Sequence, residues 1–197
     1  MKRFLYTARE RFSKDYLPTQ SQFAGLSWEG YLGWSRAYHL SELVSVDNML
    51  SVIEPDYNNA DDWNYIHIHG QIQSGFFTSP DYVCKRVKNR AKYNLLMVAI
   101  EPILDCKSID VDDGYEFVGY DLLDQYFSIS PLTNCGGDKG LGYNTFLPTE
   151  LNDKGLLDDF GKAYDIKKRL LENNPTEAGS HAKANVIAVW RHRTVGR

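Results

Sequence analysis

Residues 95–100 have the sequence Leu-Leu-Met-Val-Ala-Ile, an apolar run that ends at Glu101-Pro102. Six apolar residues without polar alternation are typical of a strand that is covered on both faces. This stretch therefore predicts the central strand of a β-sheet, and the other elements can be placed around it.

Five further segments have the composition of strands. Alternating apolar and polar residues indicate half-buried strands, and short runs rich in β-branched and aromatic residues favour extended structure. The predicted strands are 2–7 (KRFLYT), 42–46 (ELVSV), 63–69 (WNYIHIH), 115–120 (YEFVGY) and 185–192 (NVIAVWRH).

Helices are predicted at four places. Apolar residues at i, i+3 and i+4 spacing indicate a helix that Asp158 or Asp159 opens and Asn174-Pro175 ends. A second helix, 82–92, has Ser79 or Asp81 as its cap. The others are a short helix that starts at Asp47 and stops before Pro55, and another near 26–35 within an irregular, aromatic-rich excursion over 11–39.

The order of these elements shows no strict βαβ alternation, so the predicted class is α+β, with an α/β sheet as the alternative. We expect one domain over residues 1–197, with a mostly antiparallel sheet of about six strands and three or four helices. The chain contains no internal repeat, low-complexity tract or linker. A domain of 197 residues is long enough to bury a core of its own.

The composition predicts a cytoplasmic protein. The N-terminus lacks the apolar core of a signal peptide, and no run of about 18 apolar residues could span a membrane. Cys84, Cys106 and Cys135 are odd in number and form no C-x-x-C pair, which favours reduced thiols. The formal net charge of −4 disfavours bulk binding to nucleic acid.

Two histidines suggest a metal site. In a strand, His67 and His69 would lie on one face and present two imidazoles side by side. A transition metal would need a third ligand such as Asp61, Asp62, His39 or His181. The alternative is that both rings line the solvated face of a sheet. No cofactor is predicted.

Cys135 is a candidate nucleophile. It precedes Gly136-Gly137, where backbone N–H groups could turn toward an oxyanion, and His181 or His67 could serve as its base. The alternative is an inert buried thiol beside a glycine turn. The glycine-rich segment 136–142 lacks the Gly-Lys-Ser/Thr ending of a phosphate loop and predicts a surface loop.

Two charged segments suggest binding surfaces. The run 85–92 has five positive charges in eight residues; it predicts the solvated face of a helix, or alternatively a weak nucleic-acid patch. Acids and tyrosines between 105 and 126 would make a contact surface for a basic protein. Its predicted members are Asp110, Asp112, Asp113, Tyr115, Tyr120, Asp121, Asp124 and Tyr126.

The C-terminal half also resembles a known group. The segments EFVGYDLLD (116–124), SISPLTNCGG (128–137), ELN (150–152) with GL (155–156), and AVWR (188–191) are similar to an uncharacterised family of small bacterial cytosolic proteins. That family supplies no catalytic role. In acidity and aromatic content, with 13 Tyr, 9 Phe and 4 Trp, the chain is also similar to bacterial immunity proteins.

The likeness to immunity proteins implies a non-enzymatic domain that neutralises a partner, a basic toxin for example, through the acidic, tyrosine-rich surface. A small enzyme built on Cys135 or on His67 and His69 is the alternative. Weak binding of nucleic acid through residues 85–92 is the second alternative.

Overall fold

The computed structural model describes residues 4–50, 56, 58–69, 75–111, 114–134, 145–173 and 183–193. Six β-strands lie within these ranges: β1 (Leu5–Glu10), β2 (Phe12–Ser13), β3 (Glu42–Leu43), β4 (Tyr93–Ile100), β5 (Tyr115–Leu123) and β6 (Asn185–His192). Four α-helices accompany them: α1 (Trp28–Ser35), α2 (Ala60–His69), α3 (Pro80–Arg86) and α4 (Phe160–Asn173). Three-residue 3₁₀ helices occur at Asn48–Leu50, Arg90–Lys92 and Pro148–Glu150.

Four of the strands form one antiparallel sheet in the order β1-β4-β6-β5. Val98 of β4 faces Leu5 of β1 on one side and Val189 of β6 on the other. The strands β2 and β3 pair separately in a two-stranded antiparallel sheet. The α+β expectation is therefore confirmed, but the strands do not form a single six-stranded sheet.

The interior position predicted for 95–100 is confirmed, because β4 is covered on both faces. Met97 and Ala99 pack in one core cluster with Ile166 and Leu170 of α4. Leu96 and Val98 pack in another with Val44, Val46 and Phe76. Covering on both faces explains why this strand has no polar alternation.

The strand β5 contains an irregularity that its neighbour β6 does not share. Its register shifts between Phe117 and Gly119. Gly119 has a φ of 142°, and a Cβ atom there would lie 2.7 Å from Cβ of Leu156 and 2.9 Å from the carbonyl oxygen of Leu157. Only glycine fits such a backbone without displacing its neighbours, so this residue fixes the bulge.

The excursion over residues 11–39 forms an aromatic cluster with its own buried centre. Phe12, Phe23, Trp28 and Tyr31 are buried together, with ring centroids 5.2–5.7 Å apart. The short helix predicted near 26–35 is confirmed as α1, and Ser27 caps it by accepting a hydrogen bond from the N–H of Gly30.

The prediction of a strand over 63–69 is wrong, because these residues belong to helix α2. Asn59 accepts hydrogen bonds from the N–H groups of Asp61 and Trp63, and two acids occupy the first turn. Asparagine followed by acids is the signature of a helix N-terminus and favours a helix here.

Two predicted helices and one strand are shorter than expected. The helix predicted over 82–92 ends at Arg86, and the one predicted from Asp47 is a single 3₁₀ turn in the described residues, since Ile53 and Pro55 lie outside them. Only Glu42 and Leu43 of the predicted strand 42–46 pair as strand. The predicted strand 2–7 corresponds to β1, displaced toward the C-terminus.

Within the ranges given above, no helix is both long enough and apolar enough to cross a bilayer. Cytoplasmic localisation stays a prediction.

Candidate functional site

The acids and tyrosines predicted to form a contact surface do not share one surface. Tyr115, Tyr120, Asp121 and Asp124 are all buried, with at most 7% of each residue exposed. Asp110 and Tyr126 are exposed, and Asp112 and Asp113 lie outside the described residues. The structure therefore corrects the predicted surface position of these four residues, and a contact role for the exposed Asp110 and Tyr126 stays a prediction.

Tyr120 and Asp124 form hydrogen bonds that stabilise two loops next to β5. The hydroxyl of Tyr120 donates a 2.6 Å hydrogen bond to Oδ1 of Asp105 and accepts one of 2.6 Å from the N–H of Cys106. Oδ1 of Asp124 accepts from the N–H groups of Tyr126 and Ser128, which closes the turn after β5. Their polarity serves the fold rather than a partner.

Asp121 is the centre of a buried hydrogen-bond network. Its Oδ2 accepts a hydrogen bond of 2.7 Å from the Ser45 hydroxyl and one of 3.0 Å from the Val46 N–H. Its Oδ1 accepts a hydrogen bond of 2.6 Å from the Ser130 hydroxyl and one of 2.8 Å from the Leu122 N–H. Burial raises the pKa of this carboxyl, and the four hydrogen bonds partly oppose that rise.

Asp47 is a second carboxylate in the same network. Its two oxygens accept from the N–H groups of Met49 and Ser130 and from the side-chain amide of Asn134. Burial raises the pKa of Asp47 to about 6, while the bonds from Ser130 and Met49 act in the opposite direction. A carboxyl with this pKa exchanges its proton close to neutral pH.

Arg9 is the cation of the network and is only 1% exposed. Its guanidinium donates two hydrogen bonds of 3.0–3.1 Å to the carbonyl of Val46, contacts the hydroxyl of Thr7, and lies over the ring of Phe76. Burial lowers its pKa to about 10, and the charges of Asp47 and Asp121 oppose that decrease. The guanidinium therefore stays charged at neutral pH and offsets the carboxylates.

We define the buried network as Arg9, Ser45, Asp47, Asp121, Ser130 and Thr133. It joins β1, the segment 44–48, β5 and the segment 128–134 through hydrogen bonds between residues distant in sequence. The hydroxyl of Tyr31 adds α1 to this assembly by donating a 2.9 Å hydrogen bond to the carbonyl of Thr133. The network positions the chain as far as Asn134.

Sequence reasoning identified Asp47 only as a helix cap and missed Arg9, Ser45, Ser130 and Thr133. One usable signal was Asp121, an acid set between Tyr120 and Leu122 in a strand that is otherwise largely apolar. A charged residue in such a strand is expected to be buried with partners.

The thiol site stays a prediction. Cys135 and His181 both lie outside the described residues. The residue before Cys135, Asn134, is held by the carbonyl of Ser130 and by Asp47.

The strand geometry that would place His67 and His69 on one face is wrong, whereas metal binding by these residues stays a prediction. The two residues lie on α2, where side chains two apart point about 200° apart around the helix axis rather than to one face. His69 stacks on Tyr65, with ring centroids 4.3 Å apart. The ranges that the structure describes contain no group of three or more His, Cys, Asp or Glu residues able to hold a metal ion.

The basic run 85–92 divides between the end of α3 and the 3₁₀ turn before β4. Val83 and Val87 are buried beneath it, as the pattern predicted, while Lys85, Lys88, Arg90 and Lys92 are exposed. Arg86 forms an ion pair with the buried carboxylate of Asp62 on α2.

An exposed feature that the sequence did not single out lies at the C-terminal end of α1. We define the aromatic ridge as Trp34, Arg36 and Tyr38. Trp34 is 46% exposed and Tyr38 is 70% exposed, whereas Ser35 and Ala37 between them are buried. Arg36 has a φ of 58° and forms the C-cap of α1. This left-handed residue ends the helix between the two exposed aromatic residues and is itself partly exposed.

No protein-family model, curated protein or solved structure matches this chain.

Proposed function

We propose that this chain is a non-enzymatic protein-binding domain of the immunity or antitoxin type, which neutralises a partner protein by binding it. The observation that supports the proposal most directly is the exposure of Trp34 and Tyr38 on the aromatic ridge, at 46% and 70%. The ridge replaces the acidic surface proposed from the sequence, whose central members are buried.

The composition of the ridge suits a protein interface. Trp, Tyr and Arg are the residue types most enriched among those that dominate binding energy. Large aromatic side chains supply contact area while few rotatable bonds are immobilised, which lowers the entropic cost of binding.

The ridge is also held in place before any partner binds. The N–H of Leu40 donates to the carbonyl of Ala37, and a ring nitrogen of His39 lies 2.9 Å from the carbonyl oxygen of Leu151. Leu40 is only 5% exposed, and the ring of Trp34 lies 6.0 Å from that of Tyr31 in the aromatic cluster. A preorganised surface favours tight binding because less ordering remains to be done.

The distribution of charge supports a basic partner. The run 85–92 contains five of the positive charges, and removing these five from the formal net charge of −4 leaves −9 on the rest of the chain. A net negative charge of this size accelerates encounters with a basic protein.

The test combines capture with neutralisation. Tagged wild-type chain, the double variant W34A/Y38A and the matched control I103A/L104A are used to capture proteins from the native host. Ile103 and Leu104 are 82% and 64% exposed, so the control removes comparable exposed apolar surface elsewhere. A captured protein is then expressed alone and together with each variant, and cell growth is measured.

The proposal expects a stoichiometric partner whose expression arrests growth, and whose toxicity is relieved by the wild type and the control but not by W34A/Y38A. Loss of two interface aromatics is expected to weaken binding at least about tenfold. A partner that W34A/Y38A retains and neutralises fully would disprove the role of the ridge. Capture of no partner at low salt contradicts the proposed function as a whole.

A further inference from the structure

A polar pocket of about 460 Å³ lies between the end of α3 and the start of β4. Three cationic side chains line it, those of Arg86, Lys88 and Lys92. Two amides, Asn89 and Gln20, and the ring of Tyr93 contribute the rest of the polar wall. The volume falls within the range of sites that hold small molecules.

Of the three cations in this pocket, Arg86 pairs with the buried carboxylate of Asp62, so Lys88 and Lys92 are the two that matter here. A second groove provides a comparison. That groove, of about 490 Å³, lies along α4, but two of its lysines are engaged: Lys167 pairs with Glu101 and Lys168 with Glu172. Among the described residues, Lys88 and Lys92 form no ion pair with a carboxylate. Their charges are therefore available to an anion that enters the pocket.

Arginines fix the backbone that carries these lysines. Arg90 donates to the carbonyl of Cys84, and Arg11 donates to the carbonyl of Ala91 while its guanidinium lies 3.6 Å from the centroid of the Tyr16 ring. The backbone N–H of Arg11 also bonds the carbonyl of Lys92 at 2.8 Å. These contacts order the connection between α3 and β4.

The opposite wall is ordered by a buried acid. The carboxylate of Glu10 accepts hydrogen bonds from the N–H groups of Thr19, Gln20 and Ser21. These bonds hold the segment 19–21 in place, and the side-chain carbonyl of Gln20 accepts a hydrogen bond of 3.5 Å from the hydroxyl of Tyr93. Glu10 is only 2% exposed, so it stabilises the pocket wall from the protein interior, whereas Lys88 and Lys92 are exposed to solvent.

We propose that this pocket binds a small phosphate-bearing molecule. Two lysine ammonium groups and two amides supply charge and N–H donors for phosphate oxygens. An extended nucleic acid is disfavoured because the chain is acidic overall and because Tyr93, the aromatic residue of the pocket, is only 7% exposed and offers no open face for base stacking.

The test uses inorganic pyrophosphate as the probe, titrated into the full chain by calorimetry at low ionic strength. The variant K88Q/K92Q removes both lysine charges from the pocket. The control K168Q removes one charge from a lysine whose side chain is 71% exposed on α4. A single-stranded DNA of about 20 nucleotides is titrated in parallel, because long polyanions would report nucleic-acid binding instead.

The proposal predicts saturable binding of pyrophosphate to the wild type. The variant K88Q/K92Q should weaken this binding about tenfold or more, whereas K168Q should change the affinity by less than about twofold. Circular dichroism checks that all three proteins are folded. Absence of saturation at about 10 mM pyrophosphate overturns it, since specific sites for charged small molecules bind more tightly than this. Equal affinity of the wild type and K88Q/K92Q, or binding of the DNA alone, also overturns it.

Discussion

The hydroxyl of Tyr31 donates a 2.9 Å hydrogen bond to the carbonyl oxygen of Thr133, 102 residues further along the chain. This bond joins the aromatic cluster around α1 to the segment 128–134. Tyr31 is 1% exposed, and burial, followed by the charges of Asp47 and Asp121, raises the pKa of its phenol. The hydroxyl therefore remains a donor throughout the ordinary pH range.

The bond predicts a specific loss of stability in Tyr31→Phe. Removing the hydroxyl leaves the buried carbonyl of Thr133 without this donor, which costs about 1–3 kcal/mol. Urea unfolding followed by circular dichroism measures the change. The matched control is Tyr38→Phe, whose residue is 70% exposed and whose stability is expected to change by less than about 0.5 kcal/mol. Equal effects of the two variants would contradict the importance of the bond.

Asp121→Asn is expected to destabilise the protein by about 3–5 kcal/mol. The N–H groups of Val46 and Leu122 donate to different oxygens of Asp121. Asparagine has one oxygen and one NH2 group in place of the two oxygens. In either orientation its NH2 group, a donor, would therefore face one of these N–H donors. Urea unfolding midpoints measure the effect.

The control for that substitution is Asp110→Asn, because Asp110 is exposed and its change should cost less than about 0.5 kcal/mol. If Asp121→Asn does not accumulate as folded protein, Ser130→Ala removes one of the four bonds and should cost about 1–3 kcal/mol. A stability of Ser130→Ala equal to that of the wild type would contradict a tightly satisfied network.

Asp47 predicts a pH dependence of stability. Its pKa is about 6 in the folded protein and near 3.8 when unfolded, so the folded state binds the proton more tightly. The Asp47 contribution is therefore most favourable below pH 3.8 and is lost as the pH rises through 6. The difference in pKa corresponds to about 3 kcal/mol.

The measurement compares the wild type with Asp47→Asn by urea unfolding at several pH values between 4 and 7. The variant lacks the titrating carboxyl, so its stability relative to the wild type should improve as the pH rises. A constant difference between the two proteins across this range would show that Asp47 has an ordinary pKa.

Gly119→Ala is expected to destabilise the protein by about 2–4 kcal/mol. The φ of 142° is unfavourable for alanine, and the new methyl group would collide with Leu156 and with the Leu157 carbonyl. The control is Gly33→Ala within α1, where no heavy atom lies within 4 Å of the added Cβ. That variant should gain about 0.5–1 kcal/mol from helix propensity. A neutral Gly119→Ala would mean that the bulge relaxes without cost.

The hydrophobic pattern was sufficient to predict an element wherever its residues followed a single helical or strand periodicity. The apolar run of β4, the i, i+3, i+4 stripe of α4 and the last strand β6 were predicted with nearly their observed bounds. The segment 63–69 failed because its apolar residues alternate as in a strand, while Asn59 and the acids after it favour a helix. Contacts with α3, including the Tyr65–Tyr82 stack at 4.0 Å, accompany the helical conformation.

The candidate surfaces required the tertiary structure. The acids between 105 and 124 look equivalent in sequence, yet Asp110 is exposed and Asp121 is buried. The aromatic ridge was hidden for the converse reason, because Trp34 and Tyr38 belong to the same aromatic-rich excursion as the buried Phe12 and Tyr31.

The sequence alone determined a mixed α and β chain arranged around residues 95–100, because hydrophobic periodicity is a property of neighbouring residues. Only the tertiary structure decided which polar groups belong to the fold and which face a ligand or a partner. Asp121 is satisfied by Ser45, 76 residues away, and burial of a carboxylate depends on donors that the folded chain brings to it.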